Sequence, residues 1–234
     1  MRQVMVDQEV FDRFPDFNRG LIIVSDAENA PSNEAISTML NDELQKRAGM
    51  NLPDHEFVKA WDKVYLKLGS NPNKFPPSIK SLLKRVAKSG GFPFISSIVA
   101  LFNYVSLKYL IPCGGDDVGR IEGNLRLGLS RGKEIFIPLG SESRETPDPG
   151  EVIYYDDITL NVMCRRWNWR NGDFTKILES TRQLVINVDG IAPVPRSVIE
   201  EARDELAGLL TRFCKAKATT DLLDQDRRTI DIAL

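Results

Sequence analysis

Histidine is almost missing from this chain. His55 is the single histidine among 234 residues, so any Ser–His or Cys–His nucleophile would have to recruit it. It lies in Pro53-Asp54-His55-Glu56-Phe57, where Asp54 reads as a helix N-cap and His55 as an exposed first-turn residue. Cysteine is scarce as well. Cys113, Cys164 and Cys214 are odd in number, widely spaced and form no C-x-x-C pair, which argues against a zinc site or a disulfide framework and fits a reducing, cytoplasmic compartment. No run of about 18 apolar residues is present for a membrane span, and Met1-Arg2-Gln3-Val4 begins no cleavable apolar segment, so no membrane partner is expected. An excess of positive charge is lacking too: the net charge is -2, and any nucleic-acid contact has to come from a local patch. Neither G-x-x-x-x-G-K-[ST] nor G-x-G-x-x-G follows a strand, so no phosphate-cradling loop, cofactor or metal is expected.

What is present is ordinary globular material, 42% hydrophobic and 27% charged, enough for one large domain or two small ones. Residues 1–30 read as an opening arm followed by a short buried strand at 20–25. Three helices then follow from apolar recurrence. The first opens at Pro31-Ser32 and stops at Gly49; the second carries Phe57, Val58, Trp61, Val64, Tyr65 and Leu68; the third is capped by Ser78 and ends at Gly90-Gly91. Residues 92–112 give a heavily apolar, central helix interrupted by Asn103 and Ser106, with Asn103 bracing a loop or touching a ligand. From Gly123 the pattern turns to strands at 125–129, 135–137, 151–156, 160–164 and 184–188. A helix at 198–215 and an edge strand at 229–233 close the chain. Helices, then many short strands, then a helix make an α+β class with a mixed sheet and a helical N-terminal layer.

Two stretches invite chemistry. If Cys164 to Arg170 is extended, Cys164, Arg166, Asn168 and Arg170 share one face while Arg165, Trp167 and Trp169 share the other. Two indoles would anchor the segment in a core and leave a row of guanidinium and amide donors for an anionic or carbonyl-bearing ligand. The plainer alternative pairs the arginines with Glu151, Asp156 and Asp157. In Pro112-Cys113-Gly114-Gly115-Asp116-Asp117, the glycines permit close approach of a substrate beside two acids. A tight turn in which Asp117 caps the next short element is the compatible alternative.

The run Ile98-Val99-Ala100-Leu101-Phe102-Asn103-Tyr104-Val105-Ser106-Leu107, followed by Ile111-Pro112 and by Asp117 with Arg120-Ile121-Glu122-Gly123, resembles the editing module of the phenylalanyl-tRNA synthetase beta subunit, a B3/B4-type domain. Pro-Gly-Glu at 149–151, Arg-Arg-Trp-Asn-Trp-Arg at 165–170 and the segment from Thr175 to Thr181 look like the free-standing members of that family. The resemblance spans roughly residues 75–190. It implies a single unit, 1–234, with a helical layer at 1–74, the family core at 75–190 and a C-terminal helix and tail at 191–234. It also implies a pocket that hydrolyses a wrong amino acid from a tRNA 3′ end.

Three family positions differ here. Gly114 stands where the module has a histidine, Asn168 near a pocket glycine, and Asn187 where an acid reads the side chain, so tyrosine specificity is not carried over. The expectation is a stand-alone aminoacyl-tRNA deacylase. Asp116 orients water, and Arg166 and Asn168 hold the carbonyl or terminal phosphate. Gly114, Gly115, Asn103 and Asn187 meet the amino-acid moiety, while Arg165, Arg170, Lys176 and Arg182 steer the acceptor end. Two other functions remain open: a non-catalytic tRNA-binding module, and a pocket for a free amino acid or small carboxylate.

Overall fold

A computed structural model describes residues 1–89 and 94–233, and Ser89 without its side chain. Gly90-Gly91 and Phe92-Pro93, expected to end one helix and open the next, lie outside the described residues.

Ten strands and six helices form among the described residues. The strands are β1 (Gln3–Val6), β2 (Asn18–Ser25), β3 (Cys113–Asp117), β4 (Leu125–Leu129), β5 (Val152–Asp156), β6 (Val162–Arg165), β7 (Arg170–Asn171), β8 (Leu184–Gly190), β9 (Lys217–Leu223) and β10 (Thr229–Asp231). The helices are α1 (Gln8–Arg13), α2 (Glu34–Arg47), α3 (Glu56–Lys67), α4 (Ser78–Ser89), α5 (Ser97–Tyr109) and α6 (Arg196–Cys214). One sheet has the order β10-β1-β4-β5-β6-β7 and is mixed, because β1 pairs parallel with β4. The other, β3-β8-β2-β9, is antiparallel throughout. The class is α+β, as the element pattern predicts.

β2 explains the layering. Leu21-Ile22-Ile23-Val24 is apolar without interruption, the signature of a strand covered on both faces. Its side chains alternate accordingly. Leu21 and Ile23 join a core shared with the six-stranded sheet, whereas Ile22 and Val24 join a core built with α2, α5 and α6. The small sheet is therefore the middle layer, and its edge strand β3 lies over the six-stranded sheet beside the turn that leaves β6.

Local chemistry accounts for most boundaries. Asn33 caps α2 by accepting from the Ile36 amide, and Ser96 caps α5 by accepting from Val99. α3 is capped by His55 rather than Asp54: the imidazole Nδ1 accepts from the Phe57 amide at 3.2 Å, while Asp54 binds Asn51 and Lys59. The only histidine is thus a capping group, half-buried against Phe57.

Other expectations are corrected. The opening arm contains β1 and α1, and β1 sits inside the six-stranded sheet. Residues 113–117 are not a tight turn but strand β3, paired with β8 from Cys113–Val188 to Asp117–Leu184. Asp117 does cap the 3-10 turn that follows, accepting from Gly119. In place of a strand at 135–137, Ile135 and Phe136 form isolated bridges to Asn161 and Glu145.

Candidate active site

The end of β6 departs most from expectation. Extended structure stops at Arg165; Arg166 and Trp167 both take left-handed conformations, φ 47° and 67°, and the chain turns before β7. Two such residues bearing β-carbons cost on the order of 1 kcal/mol each, so the surroundings must hold them. Trp167 is buried edge-on against Phe14, Phe17 and Trp61, with centroids 4.8–5.4 Å apart, and its Nε1 donates to Asp189 at 3.1 Å. The Arg166 amide donates to Glu151, and its carbonyl accepts from Tyr65. The two indoles consequently do not share a face: Trp169 packs against Phe75 instead.

This turn places Asn168 opposite β3. A recess of about 70 Å³ lies between them, lined by Arg19, Ser78, Pro112, Cys113, Gly114, Gly115, Asp116, Tyr154, Cys164, Trp167, Asn168, Asn171, Asn187 and Asp189. Eight buried side-chain polar atoms among the described residues lack a hydrogen-bond partner, and five belong to this lining: Arg19 Nη1, Ser78 Oγ, Tyr154 Oη, Asn168 Nδ2 and Asn187 Oδ1. Buried polar groups are nearly always paired. Their concentration on one small wall marks a surface made for water or a polar ligand.

Each group is aimed by its neighbours. Asn168 Oδ1 accepts from the Ser78 amide at 3.3 Å and from the Tyr65 hydroxyl at 3.0 Å, a hydroxyl shared with the Arg166 carbonyl. Because the Ser78 N–H can only donate, oxygen must occupy that position, which leaves Nδ2 facing the recess. Arg19 is 2% exposed and clamped by Asp189 through Nε and Nη2, both at 2.8 Å, which leaves Nη1 unpaired. Burial opposes the Arg19 charge, but Asp189 overrides it and the guanidinium stays protonated. Tyr154 lies under Arg19, 5.0 Å from ring centroid to guanidinium carbon, and burial lifts its phenol well above the usual range.

Asp116 carries the perturbation most useful for chemistry. Burial pushes its carboxyl from 3.8 up to about 6, against the opposing effects of the Thr175 hydroxyl and Arg19. Thr175 Oγ1 donates to Asp116 Oδ1 at 2.6 Å, and Thr181 Oγ1 donates to Asp117 Oδ2 at 2.7 Å. The segment between those threonines thus fixes both acids. Cys113 and Cys164 line the recess as well, but burial raises both thiols far above neutrality, so neither offers a thiolate.

Of the residues singled out in the sequence, Asp116, Gly114, Gly115, Asn168 and Asn187 come together here. The others do not. Arg166 reaches Ser70 and Asp148, at 2.7 and 2.9 Å, and stacks over Phe75, away from the lining. Arg165 is buried between Glu151 and Glu145, as in the plainer reading of these arginines, and is not available to RNA. Arg170 is exposed and pairs with Glu145; Lys176 pairs with Asp173; Arg182 donates to the carbonyls of Glu179 and Thr181. Asn103 stays on α5, outside the lining. The groups missed were Arg19, Ser78, Tyr154, Tyr65 and Asp189. Only Asp189 had a readable signal, an acid inside an apolar strand two residues after Asn187.

Among the described residues, no cluster of three or more His, Cys, Asp or Glu side chains could hold a metal ion, and no helix is long and apolar enough to cross a membrane.

Comparison with known proteins adds the following. No curated protein matches the chain. An N-terminal fragment of the phenylalanyl-tRNA synthetase beta-subunit from Pyrococcus horikoshii is similar in structure, at 13% identity and a TM-score of 0.46 over 92% of this chain; the chain spans 49% of that fragment. The B3/4 domain family matches residues 60–215, a span that supplies every wall of the recess except Arg19, which arrives from β2. The chain belongs to the B3/4 domain family.

Proposed function

We propose that the recess hydrolyses an aminoacyl ester at the 3′ end of a tRNA, acting free of any synthetase. The observation that carries this reading is the pairing of a carboxyl shifted to about 6 with a fixed amide donor across one small polar recess. A general base works best when its pKa lies near the working pH. An aminoacyl ester is already activated, so a placed water and a stabilised oxyanion suffice.

In this mechanism Asp116, steadied by Thr175, accepts a proton from water as the water oxygen bonds to the ester carbonyl carbon. The carbonyl becomes an oxyanion facing Asn168 Nδ2 and Arg19 Nη1, the two N–H donors of the recess without partners. The tetrahedral centre then collapses: the bond to the ribose oxygen breaks, and that oxygen takes the proton back from Asp116. One preorganised donor of this kind lowers the barrier by about 3 kcal/mol. Asn187 and Tyr154 face the amino-acid side chain, and the limited room favours a small or polar one.

Incubation with a panel of mischarged tRNAs tests the reading. At least one ester should disappear faster than in buffer. Release of no amino acid while tRNA still binds would instead mark a binding module, and a thermal shift with free amino acids alone would mark a small-ligand pocket.

A further inference from the structure

Residues 63–115 contain eight lysines and arginines and not one aspartate or glutamate, in a chain whose net charge is -2. The asymmetry becomes a surface on α4. Ile79 and Leu83 are buried, and Leu82 and Val86 pack against the same core. The opposite face then carries Lys80, Lys84 and Lys88 at successive i, i+4 positions, with Arg85 beside them. Lys80 is held by Asp62 at 2.6 Å. Lys84 and Lys88 are exposed and make no ion pair among the described residues, and Lys74, also exposed, stands just ahead of the helix over Phe75.

The position of α4 matters as much as its charge. Its first residue, Ser78, lines the recess, and the Ser78 amide donates to Asn168. Twelve residues of helix extend roughly 18 Å from that point. A cationic row therefore starts two residues after a wall of the recess and follows the helix onward from it.

We infer that Lys74 and the α4 row, chiefly Lys84 and Lys88, bind the sugar–phosphate backbone of the nucleic acid whose 3′ end occupies the recess. This inference rests on the deacylase reading for its direction, since the 3′ end must lie at Ser78 and the strand must lead along α4. Phosphate contacts of this kind fix register without reading sequence. The residues chosen from the sequence for this task, Arg165, Arg170, Lys176 and Arg182, are instead engaged within the fold.

The test compares the full chain with a Lys74→Gln/Lys84→Gln/Lys88→Gln variant and with a Lys215→Gln/Lys217→Gln control, binding uncharged tRNA between 50 and 200 mM salt. Each phosphate contact contributes about 0.7–0.9 to the slope of log affinity against log salt. The triple variant should lose roughly two to three units of slope and keep its melting temperature, while the control keeps the parental slope. A parental slope in the triple variant would overturn the inference. So would competition by polyglutamate without tRNA binding, which would mark an acidic protein partner. Hydrolysis of charged tRNA is scored separately. Loss of slope without any hydrolysis by the parent chain upholds the surface and rejects the deacylase; hydrolysis with an unchanged KM in the triple variant does the reverse.

Discussion

The Tyr65 hydroxyl lies 3.0 Å from Asn168 Oδ1, and this contact from α3 braces the carboxamide whose orientation the Ser78 amide sets. It also ties the left-handed turn after β6 to the helical layer, because the same hydroxyl reaches the Arg166 carbonyl. Tyr65→Phe leaves both acceptors a donor short and should cost about 1–2 kcal/mol of stability. Hydrolysis should fall several-fold while uncharged tRNA binds as before. Asn168→Asp puts an acceptor where the oxyanion needs a donor and should lower the rate about 100- to 1,000-fold. Chemical denaturation and single-turnover hydrolysis check both.

Asp116 gives a pH signature. Its carboxyl titrates near 6 in the folded protein and works as a base only when ionised, so log rate should rise with pH and level off above about 6. The effect on stability has the opposite sign. Between 3.8 and about 6 the native state binds more protons than the unfolded chain, so this group makes stability fall as pH rises through that window. Asp116→Asn removes the fall: the variant should be inactive, more stable than the parent at pH 7, and no more stable below pH 4. Thermal melts across pH measure this.

Asp189 has a structural duty that precedes any chemical one. It satisfies Arg19 twice and Trp167 once, all within the buried layer. Asp189→Ala leaves a buried guanidinium without its counter-charge, which should cost about 3–5 kcal/mol. Urea unfolding should register the loss even with no substrate present. The double change Arg19→Met/Asp189→Leu should recover much of that stability without recovering hydrolysis.

Gly114 and Gly115 are adjacent but not equivalent. A β-carbon at Gly114 would meet nothing within 4 Å, whereas one at Gly115 would lie 3.0 Å from Ile186 Cγ1 and 3.2 Å from the Val185 carbonyl oxygen. Gly114→Leu should therefore fold normally, fill the recess and abolish hydrolysis, and Gly115→Leu should destabilise the fold. Melting temperatures with parallel assays separate the two outcomes.

These positions also show what the sequence could convey. The uninterrupted Leu21–Val24 run marked a doubly covered strand, and the 3.6-residue recurrence marked α2 to α6, because burial leaves a periodic trace. β9 left no such trace: Lys217–Leu223 mixes exposed and buried positions and pairs only along one edge of β2. The segment after β6 misled because alternation assumes extended backbone, and two left-handed residues rotated Arg166 away from Asn168. Arg19 was invisible for a different reason. An arginine ahead of a glycine and a buried run looks like a flanking charge, and only the antiparallel register with β8 sets it against Asp189.

The central claim is that one recess, with Asp116 and Asn168 on facing walls, cleaves an aminoacyl ester. The most direct measurement is single-turnover release of amino acid from a panel of mischarged tRNAs at pH 7.5, for the parent chain and for Asp116→Asn. The account predicts rapid loss of at least one ester with the parent chain and a drop toward the buffer rate in the variant, with tRNA affinity unchanged. Equal rates for parent and variant would contradict it.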